Sequence, residues 1–188
     1  MPERGLVFGN RGCLHDDRGE IRRQWQGARW IACRLEFRGR KRELLRPGRY
    51  TELFFLDEAT ALAAGHRPCA ECRRPDYEEF LRRCVSETRA RSAEAVDERL
   101  HAERLDGRAR RLHLAPYDEL PDGAFVLEGG APRLVLGDRL LAWSPGGYGD
   151  PRPRPSGEAA LLTPPLFLPL LGAEREPLVP FLHPSAFG

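Results

Sequence analysis

Gly65-His66-Arg67-Pro68-Cys69-Ala70-Glu71-Cys72-Arg73-Arg74 is the stretch on which the reading of this chain turns. Two cysteines two residues apart on a tight knuckle present both sulfurs to one point, and Pro68 stiffens the backbone ahead of the first. Zinc takes four soft or borderline ligands at about 2.3 Å in a tetrahedron, so the pair can supply half of such a site. Redox dithiols share the spacing but open a helix directly after a strand. Here the motif follows a helix ended by glycine, and Pro75 is expected to separate it from the next helix. That context favours Zn2+, with the charges of Arg67, Arg73 and Arg74 stabilising thiolates.

Upstream, Asp57 can cap a helix through residues 58–64, and Gly65 suits the position just past its end. Before it, Ile31, Cys33, Leu35 and Phe37 alternate with Trp30, Ala32, Arg34 and Glu36 as a strand over residues 29–38. Residues 5–25 read as a short strand and a turn. Downstream, Asp76 with Glu79 gives a capping-box-like start to a second helix, with Phe80, Leu81 and Cys84 on one face. A helical pattern resumes from Ser92, with Val96 and Leu100. From about residue 124 to 143 the signals are β: Phe125-Val126-Leu127, then Leu134-Val135-Leu136 joined to Arg139-Leu140-Leu141 through Gly137-Asp138, a two-residue hairpin signal. Residues 144–157 read as a Pro/Gly loop. The proline-punctuated tail from Thr163 reads as irregular chain with a short helix packed on the meander. The expected class is α+β: a zinc-knuckle module over 1–76, a helical segment over 77–115 and a β-rich region over 116–188, all within reach of a single domain.

The segment Ala59-Thr60-Ala61-Leu62-Ala63-Ala64-Gly65-His66-Arg67-Pro68-Cys69-Ala70-Glu71-Cys72 resembles the metal-binding domain of the Ada family of DNA-repair proteins. The resemblance covers residues 29–76 and implies a small α/β zinc module that contacts the DNA backbone. That family places a C-x-x-x-C or H-x-x-x-C pair some thirty residues upstream. Cys33 stands there, with thirty-five residues between it and Cys69, while Arg29 and Phe37 occupy the positions of its partner. The family's zinc-bound cysteine that accepts alkyl groups maps to Cys33. The alkyltransferase signature Pro-Cys-His-Arg does not occur in the sequence.

Cys33, Cys69 and Cys72 are therefore the candidate metal ligands, with His15, Cys13 or His66 as the fourth. Asp16 or Asp17 could orient His15. Each candidate has a plainer reading: Cys33 as a strand-face core thiol, His66 as an aromatic packing residue, Cys84 as a core thiol on its helix.

The 188 residues carry a net charge of only +2, which conceals an uneven distribution. Between Arg22 and Arg49 ten cations face two anions, Glu36 and Glu43, and Lys41 is the only lysine of the chain. A net +8 there draws phosphates far better than the total suggests. Trp25, Trp30 and Tyr50 are interleaved with it, as base stacking requires. Arg38, Arg40, Lys41, Arg42, Arg73 and Arg74 are the expected nucleic-acid contacts, on DNA rather than RNA; a solvated charged face is the alternative. No apolar run approaches the roughly 18 residues of a membrane span, and the N-terminus lacks a signal-peptide core. With an odd five cysteines, two of them as C-x-x-C, the chain reads as cytoplasmic and metal-binding rather than disulfide-linked. The function classes left open are a zinc protein that contacts nucleic acid, a zinc-thiolate alkyl acceptor using Cys33, and a structural zinc module for protein contact.

Overall fold

The computed structural model describes residues 5–40, 43–84 and 92–188. The expected contacts Lys41 and Arg42 lie outside the described residues. The first half holds strands β1 (Val7–Asn10), β2 (Ile31–Cys33), β3 (Leu53–Phe55) and β4 (Arg67–Pro68), with helices α1 (Glu58–Ala63) and α2 (Arg74–Cys84). Then come α3 (Ala93–Arg104), a small hairpin of β5 (Leu105–Asp106) and β6 (Ala109–Arg110), and strands β7 (His113–Pro116), β8 (Phe125–Glu128), β9 (Ala131–Leu136), β10 (Arg139–Ser144), β11 (Gly147–Pro153) and β12 (Glu158–Leu161). A short helix α4 (Leu168–Leu171) lies in the tail between two 3-10 turns. The class is α+β, with an antiparallel meander toward the C-terminus.

The first sheet has the order β3-β1-β2-β4, with β2 and β4 parallel and the other pairs antiparallel. The second, order β11-β10-β9-β8-β12-β7, is antiparallel throughout. The Gly137-Asp138 hairpin forms as expected, pairing Leu136 with Arg139. The expected loop over 144–157 is corrected: half of it, Gly147–Pro153, is β11. Proline cannot donate to a ladder, but β11 is an edge strand, where Pro151 and Pro153 cost no inner hydrogen bond. The strand expected over 29–38 shortens to three residues, so Leu35 is exposed.

Helix α1 ends in a Schellman motif: His66 N–H donates to Ala61 O at 2.9 Å and Gly65 N–H to Leu62 O at 2.7 Å, with Gly65 at φ +86°. At its start Asp57 accepts from Thr60 N–H at 2.8 Å, from the Tyr148 hydroxyl at 2.7 Å and from His183 N–H at 2.9 Å. One cap thus fastens the first sheet's helix to the meander and the tail. Helix α2 begins earlier than expected: Pro75 sits in its first turn, where its missing N–H is no loss. Asp76 is not its cap. It accepts instead from Arg73 Nε at 2.7 Å and from Leu178 N–H.

The largest core cluster joins Leu62, Tyr77, Phe80, Cys84, Val96 and Leu100 to Val126, Val135, Leu140 and Leu161 of the second sheet, and to Phe167 and Leu170 of the tail. Cys84 is a core thiol, as its helix face implies. A separate cluster of Phe8, Cys33, Cys69 and Cys72, flanked by Ile31 and Phe37, marks the site.

Candidate metal centre

The parallel pairing of β2 with β4 builds the centre. Ile31 lies beside Arg67 and Ala32 beside Pro68, so the next residues on the two strands are Cys33 and Cys69. Cys69 N–H donates to Ala32 O at 3.0 Å and holds the knuckle against β2. The chain then turns through Ala70 and Glu71, where Glu71 N–H points at Cys69 Sγ (3.4 Å), and Cys72 comes back to the same point. The three sulfurs lie within 4.8 Å of one another, each cysteine is buried, and no disulfide links them. Sulfurs on one tetrahedral zinc stand about 3.8 Å apart, from the ~2.3 Å bond length, so this spacing fits a shared ion.

Electrostatics within the trio point the same way. Hydrogen bonds from Cys33 and then Cys72 hold the Cys69 thiol well below its ordinary value. Sharing that anion, first with Cys69 and then with Cys72, pushes Cys33 up, and burial adds to it. Cys72 is drawn down by Cys33 but driven further up by Cys69 and by burial. Buried thiols that compete for one negative charge are a donor set that a soft cation, displacing their protons, would satisfy.

The arginines do not supply this charge, contrary to the expectation. Arg67 is buried and spent on Asp97 through a two-bond pair at 2.7 and 2.8 Å. Arg73 is fully buried between Glu58 and Asp76, so it offers no surface for a phosphate. Arg74 is exposed but pairs with Glu78 one turn on. The knuckle does sit between a strand and a helix, the context that dithiol redox sites use. What sets it apart is the third thiol, Cys33, which a dithiol site does not need.

None of the three candidates for a fourth ligand joins the cysteines. His15 is buried with Nδ1 at 2.6 Å from Thr51 Oγ1 and Nε2 at 3.3 Å from Arg46 O, which staples the 46–51 loop to the preceding turn. Asp16 does not orient it: its carboxylate caps its own turn and pairs with Arg22. Cys13 Sγ contacts His15 O. His66 is packed between the rings of Trp30 and Phe55, with centroids at 5.4 and 4.6 Å. Among the described residues the set that could hold a metal is Cys33, Cys69 and Cys72. Phe37 packs against this cluster.

Two surfaces adjoin the centre. The loop after β2 exposes Arg38 and Arg40, whose guanidinium carbons lie 4.9 and 5.5 Å from the centre of the Phe37 ring; Arg40 also pairs with Glu71. On the other side a groove of about 840 Å³ reaches Cys69, with Arg29, Arg49 and Tyr50 on its walls together with Glu94 and Glu98. Among the described residues no helix is long and apolar enough to cross a membrane.

Fold and site together define an α+β protein with a buried three-cysteine candidate metal centre. No known protein family, curated protein or solved structure in the comparisons matches the chain.

Sequence reasoning passed over the buried ion pairs Arg67–Asp97 and Arg73–Glu58. Their partners are 30 and 15 residues apart and carry no local signature. It also passed over Arg104, although Val96, Leu100 and Arg104 at i, i+4 and i+8 place that arginine on the buried stripe of α3.

Proposed function

We propose that Cys33, Cys69 and Cys72 bind zinc and that the metal organises a surface contacting nucleic acid, DNA rather than RNA, as in the Ada-type module that residues 59–72 resemble. The convergence of three buried sulfurs from two separate segments carries the metal half of this reading. Thiolate-only donors suit zinc, which has no geometric preference beyond the tetrahedron. Phe37 links the two halves: it packs on the cysteines while Arg38 and Arg40 stack over its ring. Metal binding would hold this loop in place, and exposed Arg46, Arg49, Tyr50 and Phe54 extend the same mix of cations and aromatics. Such surfaces bind phosphates and stack bases.

Elemental analysis of the purified protein, beside Cys33→Ser, Cys69→Ser and Cys72→Ser, tests the metal. A single zinc in the wild type, lost in each variant, is the expected result. Anisotropy titrations with duplex DNA test the surface: affinity should fall linearly on a log–log salt plot, with a slope of about −0.9 per phosphate neutralised, and Arg38→Ala should flatten it by one contact. Zinc without DNA affinity at low salt would leave a structural module and refute the nucleic-acid half.

The groove favours a second reading, a metal-thiolate alkyl acceptor. Cys69 lines it, so Cys69 rather than Cys33 would be the acceptor. Incubation with methylated DNA should then add one methyl group to the intact mass, on Cys69; an unchanged mass removes this reading.

A further inference from the structure

We infer that Arg11, His66, Arg104 and Arg110 form a binding site for an oxyanion of the phosphate class. The site is separate from the cysteine centre and does not depend on its metal.

Arg104 has no exposed surface. Its Nη1 donates to Ala28 O at 2.8 Å, while Nε and Nη2 meet no acceptor among the described residues. Its Cζ lies 4.6 Å from the centre of the Trp30 ring, and Arg11 Cζ lies 4.8 Å from the same ring. Stacking of this kind uses the face of a guanidinium and leaves its N–H edge free to meet an oxyanion. Arg11 Nε meets no acceptor either. Arg110 Nη2 donates to Ala63 O and Leu162 O, and its Nε is left over. His66 is fully buried against Trp30; the Ala64 backbone is a polar neighbour, and neither ring nitrogen makes a well-formed hydrogen bond among the described residues. Arg104, Arg11 and Arg110 all act electrostatically on His66, so the four basic groups share one neighbourhood.

Among the described residues no carboxylate is hydrogen-bonded to the group. Asp97 and Glu103 are near enough to act on Arg104, but each is engaged elsewhere. Asp97 gives both oxygens to Arg67. Glu103 gives one to Arg99 Nε and the other to Leu166 N–H. Burial lowers Arg104 to about 9, against the partial offset of Asp97 and Glu103, and Arg110 to about 10. Gly65 shapes the site: a Cβ there would stand 2.8 Å from Arg104 Cγ and Nε, so a side chain would displace the guanidinium. Unused donors on four clustered basic groups, with Arg11 and Arg110 half-buried at the edge, suit a small tetrahedral anion, either free or carried on a nucleic-acid end.

Thermal unfolding of the full chain with inorganic phosphate, at constant ionic strength set by sodium chloride, tests the site. The midpoint should climb with the logarithm of phosphate concentration. Arg104→Met and His66→Phe should each weaken the apparent affinity at least about tenfold, the loss of one charge-assisted hydrogen bond, while metal content stays unchanged. A 5′-phosphorylated oligonucleotide that shifts the midpoint where its unphosphorylated counterpart does not would assign the anion to a nucleic-acid end, and a shift with inorganic phosphate assigns it to the free ion. Flat curves in both arms overturn the site, as does a response that persists unchanged in both variants. Should the variants fail to fold, phosphorus NMR on the wild type decides: no line broadening of phosphate on adding the protein overturns the site.

Discussion

Glu58→Gln is expected to be the most damaging conservative substitution near the three-cysteine centre. Glu58 is fully buried and receives two guanidiniums, Arg73 Nη2 on one oxygen and Arg175 Nη2 on the other at 2.7 Å. Burial alone would lower Arg73, but the charges of Glu58 and Asp76 overcome it and raise it above its ordinary value. Arg73 follows Cys72 directly, and Arg175 belongs to the tail, so one carboxylate ties the knuckle, α1 and the C-terminal segment together. A glutamine keeps the shape and one acceptor but leaves Arg73 with Asp76 as its charged partner and takes from Arg175 the carboxylate it pairs with. Breaking a buried pair costs about 3–5 kcal/mol. The retained acceptor and Asp76 place this case at the lower end, about 3 kcal/mol, or a fall of about 6–12 °C in Tm for a chain of this size. Urea unfolding of the full chain measures it, with an unchanged m-value showing that only stability moved. Glu78→Gln is the control. Its pair with Arg74 is well exposed on both sides, so it should cost no more than about 0.5 kcal/mol. A Glu58→Gln loss below about 1 kcal/mol, or one equal to the control, would refute the claim that this carboxylate is what neutralises Arg73 and Arg175.

Two further outcomes follow from the same buried groups. Burial, and then the charges of Arg104 and Arg11, hold His66 well below its ordinary value. In phosphate-free buffer the unfolded chain therefore binds the extra proton below about pH 6.5, and stability should drop on acidification by up to about 1.4 kcal/mol per pH unit. His66→Phe should flatten that slope, and overlapping pH profiles for the two proteins would contradict it. Gly65→Ala, at φ +86° and against the Arg104 side chain, should lower stability by about 2 kcal/mol; a calorimetric midpoint equal to wild type would show that neither the turn nor Arg104 is constrained there.

The parts of this protein that depend on near neighbours were legible in its residues. Asp57 caps α1 and Gly65 ends it because a carboxylate can reach an N–H three residues on and only glycine enters the left-handed region without strain. Gly137-Asp138 makes its hairpin for a similar local reason. The pairing of Cys69 with Cys72 needs no more than a two-residue knuckle, and Cys33 was found through the spacing of a family-like segment. Tertiary structure decided the rest. Strand β11 forms in a stretch rich in proline because it pairs on an outer edge, which no local pattern announces. Arg73, which looked like a surface cation beside the knuckle, is interior because Glu58 and Asp76 meet it there. His15 is drawn to Thr51 and His66 to Trp30, so neither reaches the sulfurs. A side chain's type and spacing determine what it can bind, but a charge or a polar nitrogen takes its role from partners that folding brings from elsewhere in the chain. The residues alone therefore marked a cysteine knuckle and a basic stretch, and only the fold showed three converging sulfurs, with no fourth protein ligand among the described residues, and a second, buried cluster of basic groups.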